Sequence, residues 1–349
     1  VSTLHTTANF FRYQITLPNE QKTGYPTQGL LDLIIFDEAG QVLPEVGVAA
    51  FNLAERALIV GDTKQLEPIW GIKSQHIDFS NAYTAGLATE RETYRQLREE
   101  RRSAINGSLM DLAQRASFFR YPGENTVSGT LLREHRRCSP PIIEYCNRFV
   151  YNGLLEIKTQ EARKIDEPSL GYCHIPGRST KIQDSRKNEL EAKAIARWLQ
   201  EKQAEICHAY GAVNIGEVLG IVTPFKPQQK AIIDQLRQKD IVTDTLIVGT
   251  VHALQGAALP IILFSSVYGT GDTGFPLFFD QNPNMLNVAV SRAKDHFWVF
   301  GYMPLFSPSR QPLPSGNLGE LLFADPENEI PNRCAIEEQL LYPGSTQGV

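Results

Sequence analysis

Two short apolar runs constrain this chain more than anything else in it. LDLIIF at 31–36 stops at Asp37-Glu38, and ALIV at 57–60 stops at Gly61-Asp62. Short runs dominated by Ile and Leu, here interrupted only by Asp32, are what strands buried on both faces of a parallel sheet require. Open sheets of that kind bind ligands beyond the carboxyl ends of their strands, where these acids fall. Two adjacent carboxylates at such an edge suit ATP hydrolysis: Asp37 can hold the hydration shell of a Mg²⁺ that bridges phosphates, and Glu38 can polarise the attacking water. Gln65 follows the second run closely enough to sense a γ-phosphate at the same edge. A solvated acidic turn after a buried strand would read the same way for one run, and the second run makes that reading less economical.

At 349 residues the chain is long for a single core, so two domains are expected. No apolar run approaches the length that crosses a bilayer, and no membrane partner is expected. The five cysteines, Cys138, Cys146, Cys173, Cys207 and Cys334, are an odd number at irregular spacings with no C-x-x-C pair. That argues against a zinc site or a disulfide framework and for reduced thiols in a cytoplasmic protein. A net charge of −5 excludes a global basic field, so any nucleic-acid binding must use a local groove. The chain opens at Val1 with no targeting peptide, and is expected to begin inside a longer protein.

Along the chain, 1–7 reads as a strand tail whose Thr3 and Thr6 either touch a phosphate backbone or cap the next element. Residues 17–28 read as a loop punctuated by Pro and Gly. Trp70 either stacks on a nucleobase or packs in the core. A charged helix is expected near 81–106, with Arg91, Arg95, Arg98 and Arg102 along one face, a self-repelling stripe that an anionic partner would relieve or glutamates would temper. Residues 117–130 read as a hinge, dividing a domain at 1–128 from one at 129–349. In the second, helices are expected over 142–150, with Pro140-Pro141 in its first turn, and over 189–205 and 228–238, strands over 218–223, 246–250, 261–266 and 299–301, and a Pro- and Ser-rich loop over 306–317. The β-α-β alternation implies a parallel sheet.

Six segments then resemble, in order, the motifs of superfamily 1 helicases, in the branch of the nonsense-mediated-decay RNA helicase and its bacterial relatives. They are FDEAGQ at 36–41, GDTKQLEP at 61–68, REHRR at 133–137, VTPFKPQ at 222–228, TVHALQG at 250–256 and NVAVSRAKDHFWVFG at 287–301. Six motifs in the right order are a specific signal. The resemblance implies an α/β protein with two RecA-like parallel-sheet domains, the first incomplete, and an ATP- and Mg²⁺-dependent helicase moving 5′ to 3′ along single-stranded RNA or DNA. It implies that Arg292 is an arginine finger, Arg136 a second γ-phosphate contact, and Gly61, Asp62, Gln255 and Gly256 part of the nucleotide site. It also implies that Thr223, Pro224 and Thr250 hold the nucleic-acid backbone. Gly256 lets a backbone approach phosphate without a Cβ in the way. His252 reads as a hydrogen-bonded structural histidine.

The pattern departs from the family in two places. No Gly-x-x-x-x-Gly-Lys-Ser/Thr loop occurs, so the nest and lysine that cradle phosphates are not among these residues. Ala258 stands where the family has an acid that contacts nucleotide. The chain alone is therefore expected to bind nucleotide weakly or not at all. The rival readings are a non-catalytic nucleic-acid scaffold and an ATPase that remodels a nucleoprotein complex without unwinding.

Overall fold

The computed structural model describes residues 12–16, 18, 22–26, 28–121, 127–161, 164–254 and 256–331. The chain divides into two compact units, Val1–Leu132 and Arg133–Val349.

In the first unit, β1 (Arg12–Thr16) and β2 (Lys22–Pro26) form an antiparallel hairpin with Arg12 opposite Pro26 and Thr16 opposite Lys22. The loop expected over 17–28 is thus corrected. Thr23 and Tyr25 favour a strand, and Pro26 closes it at the end, where a missing N–H costs least. Next, β3 (Ile34–Phe36), α1 (Pro44–Phe51) and β4 (Ala57–Ile59) make a β-α-β unit with β3 and β4 parallel. Pro44 occupies the first turn of α1, where no amide partner is lost.

Phe36, Ala39, Ala50 and Leu109 form the small core beneath this pair, with Phe36 and Phe51 rings 5.0 Å apart. The other face is open: Ile35 is 61% exposed and Leu58 51%. The expected burial of both faces is therefore realised on one only, because α1 covers a single side of the pair.

The single helix expected near 81–106 is two helices, α2 (Gln75–Thr84) and α3 (Arg91–Glu99). Gly86, at φ +70°, separates them in a conformation that a helix interior cannot hold. Arg102 lies beyond α3, so the arginine stripe is cut short. Arg95 pairs with Glu92 at 2.7 Å and Glu99 at 3.1 Å, and Arg102 with Glu100 at 3.2 Å, which tempers the expected repulsion within the protein itself. Beyond α3, Arg101 bonds Asp111 and Glu67, each at 2.8 Å, and α4 (Leu109–Ala116) begins with a capping box between Ser108 and Asp111. The stretch expected as a hinge contains an antiparallel pair, β5 (Arg120–Tyr121) and β6 (Val127–Ser128).

The second unit opens with β7 (Glu134–His135), α5 (Pro140–Phe149) and β8 (Glu156–Ile157), β7 and β8 being parallel. Its main sheet uses β9 (Leu170–His174), β12 (Leu219–Val222), β13 (Ile247–Gly249), β14 (Leu259–Ser265) and β15 (Ala293–Gly301). They lie in the order β13-β12-β14-β15-β9, and every pairing is parallel. Between β9 and β12 come the hairpin β10 (Thr180–Ile182) and β11 (Ser185–Lys187) and the long helix α6 (Glu189–Tyr210). Helix α7 (Lys226–Gln238) links β12 to β13, and α8 (Phe278–Gln281) and α9 (Pro283–Ser291) lead into β15.

The α/β parallel-sheet expectation holds, with differences in detail: β15 begins at Ala293 rather than at 299, and β10, β11, α8 and α9 were not expected. Strand β9 went unread because LGYCH carries one aliphatic residue among polar and small ones. Helix α6 runs past 205 until Gly211, at φ +64°, caps it. The loop expected over 306–317 gives way at Pro314 to α10 (Pro314–Leu322), since Pro at a first turn starts a helix as readily as it ends one.

The described cysteines, Cys138, Cys146, Cys173 and Cys207, are free thiols, and Cys334 lies outside the described residues. Among the described residues no helix is long and apolar enough to cross a membrane.

Trp298 is fully buried in β15, edge-on to Trp198 at 5.1 Å, with its indole N–H donating to the Pro168 carbonyl at 2.7 Å. Trp298→Ala empties the centre of this core and removes that bond, leaving the Pro168 carbonyl with His296 Nδ1 at 3.0 Å. The expected loss is about 3–5 kcal/mol in urea-unfolding free energy of the second unit.

Candidate functional site

In the first unit the two polar strand ends are joined backbone to backbone. The Val60 amide donates to the Phe36 carbonyl at 2.8 Å, and the Ala39 amide to the Val60 carbonyl at 2.9 Å, which extends the β3–β4 ladder into both turns. A Cβ on Gly40 would stand 2.5 Å from the Asp62 carbonyl oxygen, and one on Gly61 2.8 Å from the Gly40 nitrogen. Both positions therefore require glycine for this approach. Gly61, expected at the nucleotide, has in this packing a sufficient structural reason of its own.

The turn that results carries the expected acids. Asp37 and Glu38 are exposed, and Glu38 sits at φ 53°, ψ 36°, a left-handed conformation costly for a residue with a side chain. Asp37 Oδ1 accepts the Glu38 amide at 2.9 Å, and Gln41 Nε2 donates to Glu38 Oε2 at 3.2 Å. Asp62 accepts the Lys64 amide at 2.8 Å and Gln65 Nε2 at 3.2 Å. Asp37, Glu38, Asp62 and Gln65 are thus gathered at one edge. Among the described residues no three His, Cys, Asp or Glu side chains cluster to hold a metal unaided. The pair Asp37-Glu38 offers the hard oxygen donors that suit a Mg²⁺ sharing its shell with water and phosphates. Trp70 is half-buried, and its indole N–H donates to the Gly107 carbonyl at 3.0 Å.

In the second unit, the segment carrying Arg136 runs beside the end of α9. The Ser139 amide donates to the Lys294 carbonyl at 2.7 Å, and the Cys138 thiol to the Ser291 carbonyl at 3.5 Å. Arg136 is exposed and ion-paired with Glu134 at 2.6 Å, a surface pair that an anion could displace at little cost. That pair holds the Glu134 carboxyl below its ordinary range, chiefly through the hydrogen bond from Arg136. Arg292 is only 4% exposed, so the two guanidiniums expected at phosphate differ: one lies in solvent, the other is buried. Burial pushes the Cys138 thiol up to about 12 against the pull of Arg137 and Arg292, so it is inert near neutrality. His135 Nε2 accepts the Cys138 amide at 2.8 Å, which requires a neutral ring; burial and then Arg137 hold its pKa below the ordinary value.

The expected backbone contacts meet at neighbouring strand ends. Val222 of β12 pairs with Gly249 of β13, so Thr223 and Thr250 emerge side by side, and the Thr223 amide donates to the Gly249 carbonyl at 2.9 Å. Thr223 is fully buried, however, and its hydroxyl has no hydrogen-bond partner among the described residues, whereas Pro224 and Thr250 are half-buried. Gly256 is exposed at φ +75°. His252 is exposed and makes no side-chain hydrogen bond among the described residues, which corrects the expected structural histidine. Thr3 and Gln255 lie outside the described residues.

Sequence reading missed a buried polar cluster at the carboxyl ends of β12 and β14. Glu191, in the first turn of α6, accepts the Ser265 hydroxyl and the Val267 amide, the latter at 2.9 and 3.2 Å to its two oxygens. Gln228, also fully buried, donates to Ser265 Oγ at 3.1 Å and to the Asn188 carbonyl at 3.2 Å. Val267 adopts φ +73°, a costly conformation for a β-branched residue, and the Glu191 carboxyl braces it. Burial pushes Glu191 up to about 8, opposed by those two donors. A signal was available: Glu191 stands one turn before Ile195 on the inward face of a helix.

The fold is that of a parallel-sheet α/β protein with polar residues gathered at its strand ends. Residues 108–303, more than half of the chain, match the family model described as an AAA domain, of the superfamily 1 helicase type, and the chain belongs to that family. It is 27% identical over 316 residues to the probable RNA helicase armi of Drosophila melanogaster, covering 82% of this chain and 24% of that protein. It is 22% identical over 279 residues to the DNA replication ATP-dependent helicase/nuclease DNA2 of Gallus gallus, covering 79% and 24%. The chain thus spans about a quarter of the length of these curated relatives. Among solved structures, it is similar to an arterivirus nonstructural protein 10 helicase in complex with DNA, at 13% identity and a TM-score of 0.35, covering 81% of this chain and 41% of that one.

Proposed function

We propose that this chain is the later part of a first RecA-like motor domain and a second motor domain, divided near residue 128, of a longer cytoplasmic protein. That protein is an ATP-dependent helicase or translocase moving 5′ to 3′ on single-stranded nucleic acid. The observation that carries the reading is the backbone-to-backbone union of the Asp37-Glu38 turn with the Gly61-to-Gln65 turn at parallel strand ends, in a chain of helicase family. In this reading Glu38 polarises water, Gln65 senses the γ-phosphate, and Arg136 and Arg292 stabilise charge on the transferring phosphoryl group. Because Arg292 is buried, nucleotide binding has to uncover it, which couples ATP to a conformational change. Asp37 would hold Mg²⁺ through water, and the ion would neutralise charge on the phosphates. The chain by itself binds nucleotide weakly or not at all, since it carries no Gly-x-x-x-x-Gly-Lys-Ser/Thr loop. Ala258 and the absent loop are the features that favour the rival reading, a scaffold that keeps the fold without the chemistry.

The test is strand displacement by the longer protein with ATP and Mg²⁺, on duplexes carrying a single-stranded tail at either 5′ or 3′ end. Product from the 5′-tailed duplex alone is expected. ATP consumption without displaced strand would replace the helicase with a remodelling ATPase, and binding with neither would leave the scaffold.

A further inference from the structure

We propose that the exposed ring of Phe278, backed by Phe225, and the exposed ring of Phe275 three residues before it provide a platform on which bases of a single-stranded nucleic acid stack, at the carboxyl edge of the second unit's sheet. The inference rests on the nucleic-acid reading above and adds to it where the bases lie.

Three observations converge on this place. First, Phe225 follows Thr223-Pro224 directly and caps the start of α7, and its ring lies 5.7 Å from Phe278 and 5.7 Å from Tyr268. The aromatic cluster and the strand end at which the backbone is expected to lie are therefore one continuous segment. Since the Thr223 hydroxyl is buried, the side chains this segment leaves accessible are Pro224, Phe225 and Lys226.

Second, the rings are outward by construction. Leu277 and Phe279 are fully buried, while Phe275 is 57% exposed and Phe278 39%. The core thus uses the residues flanking Phe278 and leaves its ring to solvent, a costly surface unless something covers it. The backing is firm: the Tyr268 hydroxyl accepts the Phe278 amide at 2.9 Å, and the Arg186 guanidinium lies over the Tyr268 ring at 5.3 Å. Arg186 is itself held by Asp272 at 2.6 Å, and Asp272 also accepts the Ser179 hydroxyl and the Gly269 amide. A rigid flat face costs a stacking ligand little ordering entropy.

Third, the surrounding charge favours a polyanion. Lys226 adjoins Phe225, Lys230 follows one helical turn later, and Arg178 has its Cα only 2.9 Å from where a Cβ on Gly269 would stand. All three are exposed, and none forms an ion pair among the described residues. The nearby acids are already neutralised, Asp272 by Arg186 and Asp280 by Arg310 at 3.0 Å. Flat rings flanked by unpaired cations suit stacked bases on a charged backbone. A purely apolar peptide segment would leave those cations unused.

The experiment measures fluorescence anisotropy of a labelled oligothymidylate, and of an abasic strand of equal length, with the 349-residue chain. Phe278→Ala and Phe275→Ala are each expected to weaken oligothymidylate binding about 5- to 100-fold. Affinity for the abasic strand and the salt dependence should stay as in the wild type, because no phosphate contact is removed. Phe278→Trp should retain affinity, and Phe278→Leu should lose as much as Phe278→Ala if ring stacking rather than apolar packing is at work. Phe275 is exposed enough that its substitution leaves folding intact. Wild-type affinity for oligothymidylate in both alanine variants, or an equal loss on the abasic strand, overturns the platform alone. Failure of the wild-type chain to bind either strand overturns the nucleic-acid reading, and the platform with it.

Discussion

Glu38→Gln in the longer protein lowers nucleic-acid-stimulated ATP hydrolysis about 10²- to 10⁴-fold, the range expected when a positioned base is removed. The substitution keeps the size of the side chain and an oxygen able to accept from Gln41 Nε2, so the turn that joins β3 to β4 keeps its bonds. What is lost is the negative charge that would draw a proton from water. The left-handed backbone at Glu38 fixes where its carboxylate stands. At φ 53° the chain turns away from the strand axis at once, and it is held there by the Ala39 amide on Val60 and by the close approach of Gly40 to Asp62. That conformation costs about 1–3 kcal/mol and persists because the surroundings over-determine it. Phosphate release followed with and without single-stranded nucleic acid checks the expectation. Turnover by Glu38→Gln within a few-fold of wild type would remove Glu38 from the chemistry.

Glu191 should make the stability of the second unit fall with rising pH. Its folded pKa, about 8, lies above the 4.5 of a free carboxyl. Between those values the folded protein keeps a proton that the unfolded chain has released, so stability drops as pH rises, by about 1.4 kcal/mol per pH unit. Below the lower value the group has no effect, and above the upper one the loss is complete. Burial is the cause, and Ser265 and Val267 recover only part of it. Glu191→Gln keeps an acceptor for the Val267 amide and cannot ionise. The difference in urea-unfolding free energy, variant minus wild type, should therefore grow from pH 5 to pH 8. Subtracting the wild type cancels the opposite slope from His135 and His174, whose pKa values burial lowers. A difference that stays constant across that window would mean that Glu191 is ionised in the fold and carries its charge another way.

Local readings fared best where one residue type has one use. The β-α-β alternation of the second unit and the start of α5 at Pro140 could be read directly, because apolar periodicity and proline act within a few residues. The break at Gly86 and the helix at Pro314 misled, because each residue has two uses and the neighbours choose between them. The open face of Ile35 and Leu58 was invisible in LDLIIF, since composition cannot say how many sides of a strand are covered.

Sequence alone determined the membership: six motifs in order, and the acids Asp37 and Glu38 after a strand. These are facts of residue type and order, and no folding changes them. Tertiary structure alone decided which side chains are reachable. It buried Thr223 and Arg292, left Arg136, Phe275 and Phe278 outside, and enclosed Glu191 where its charge is disfavoured. Accessibility and pKa depend on which distant segments close over a residue, and that is set by long-range packing that a string of neighbours does not encode locally.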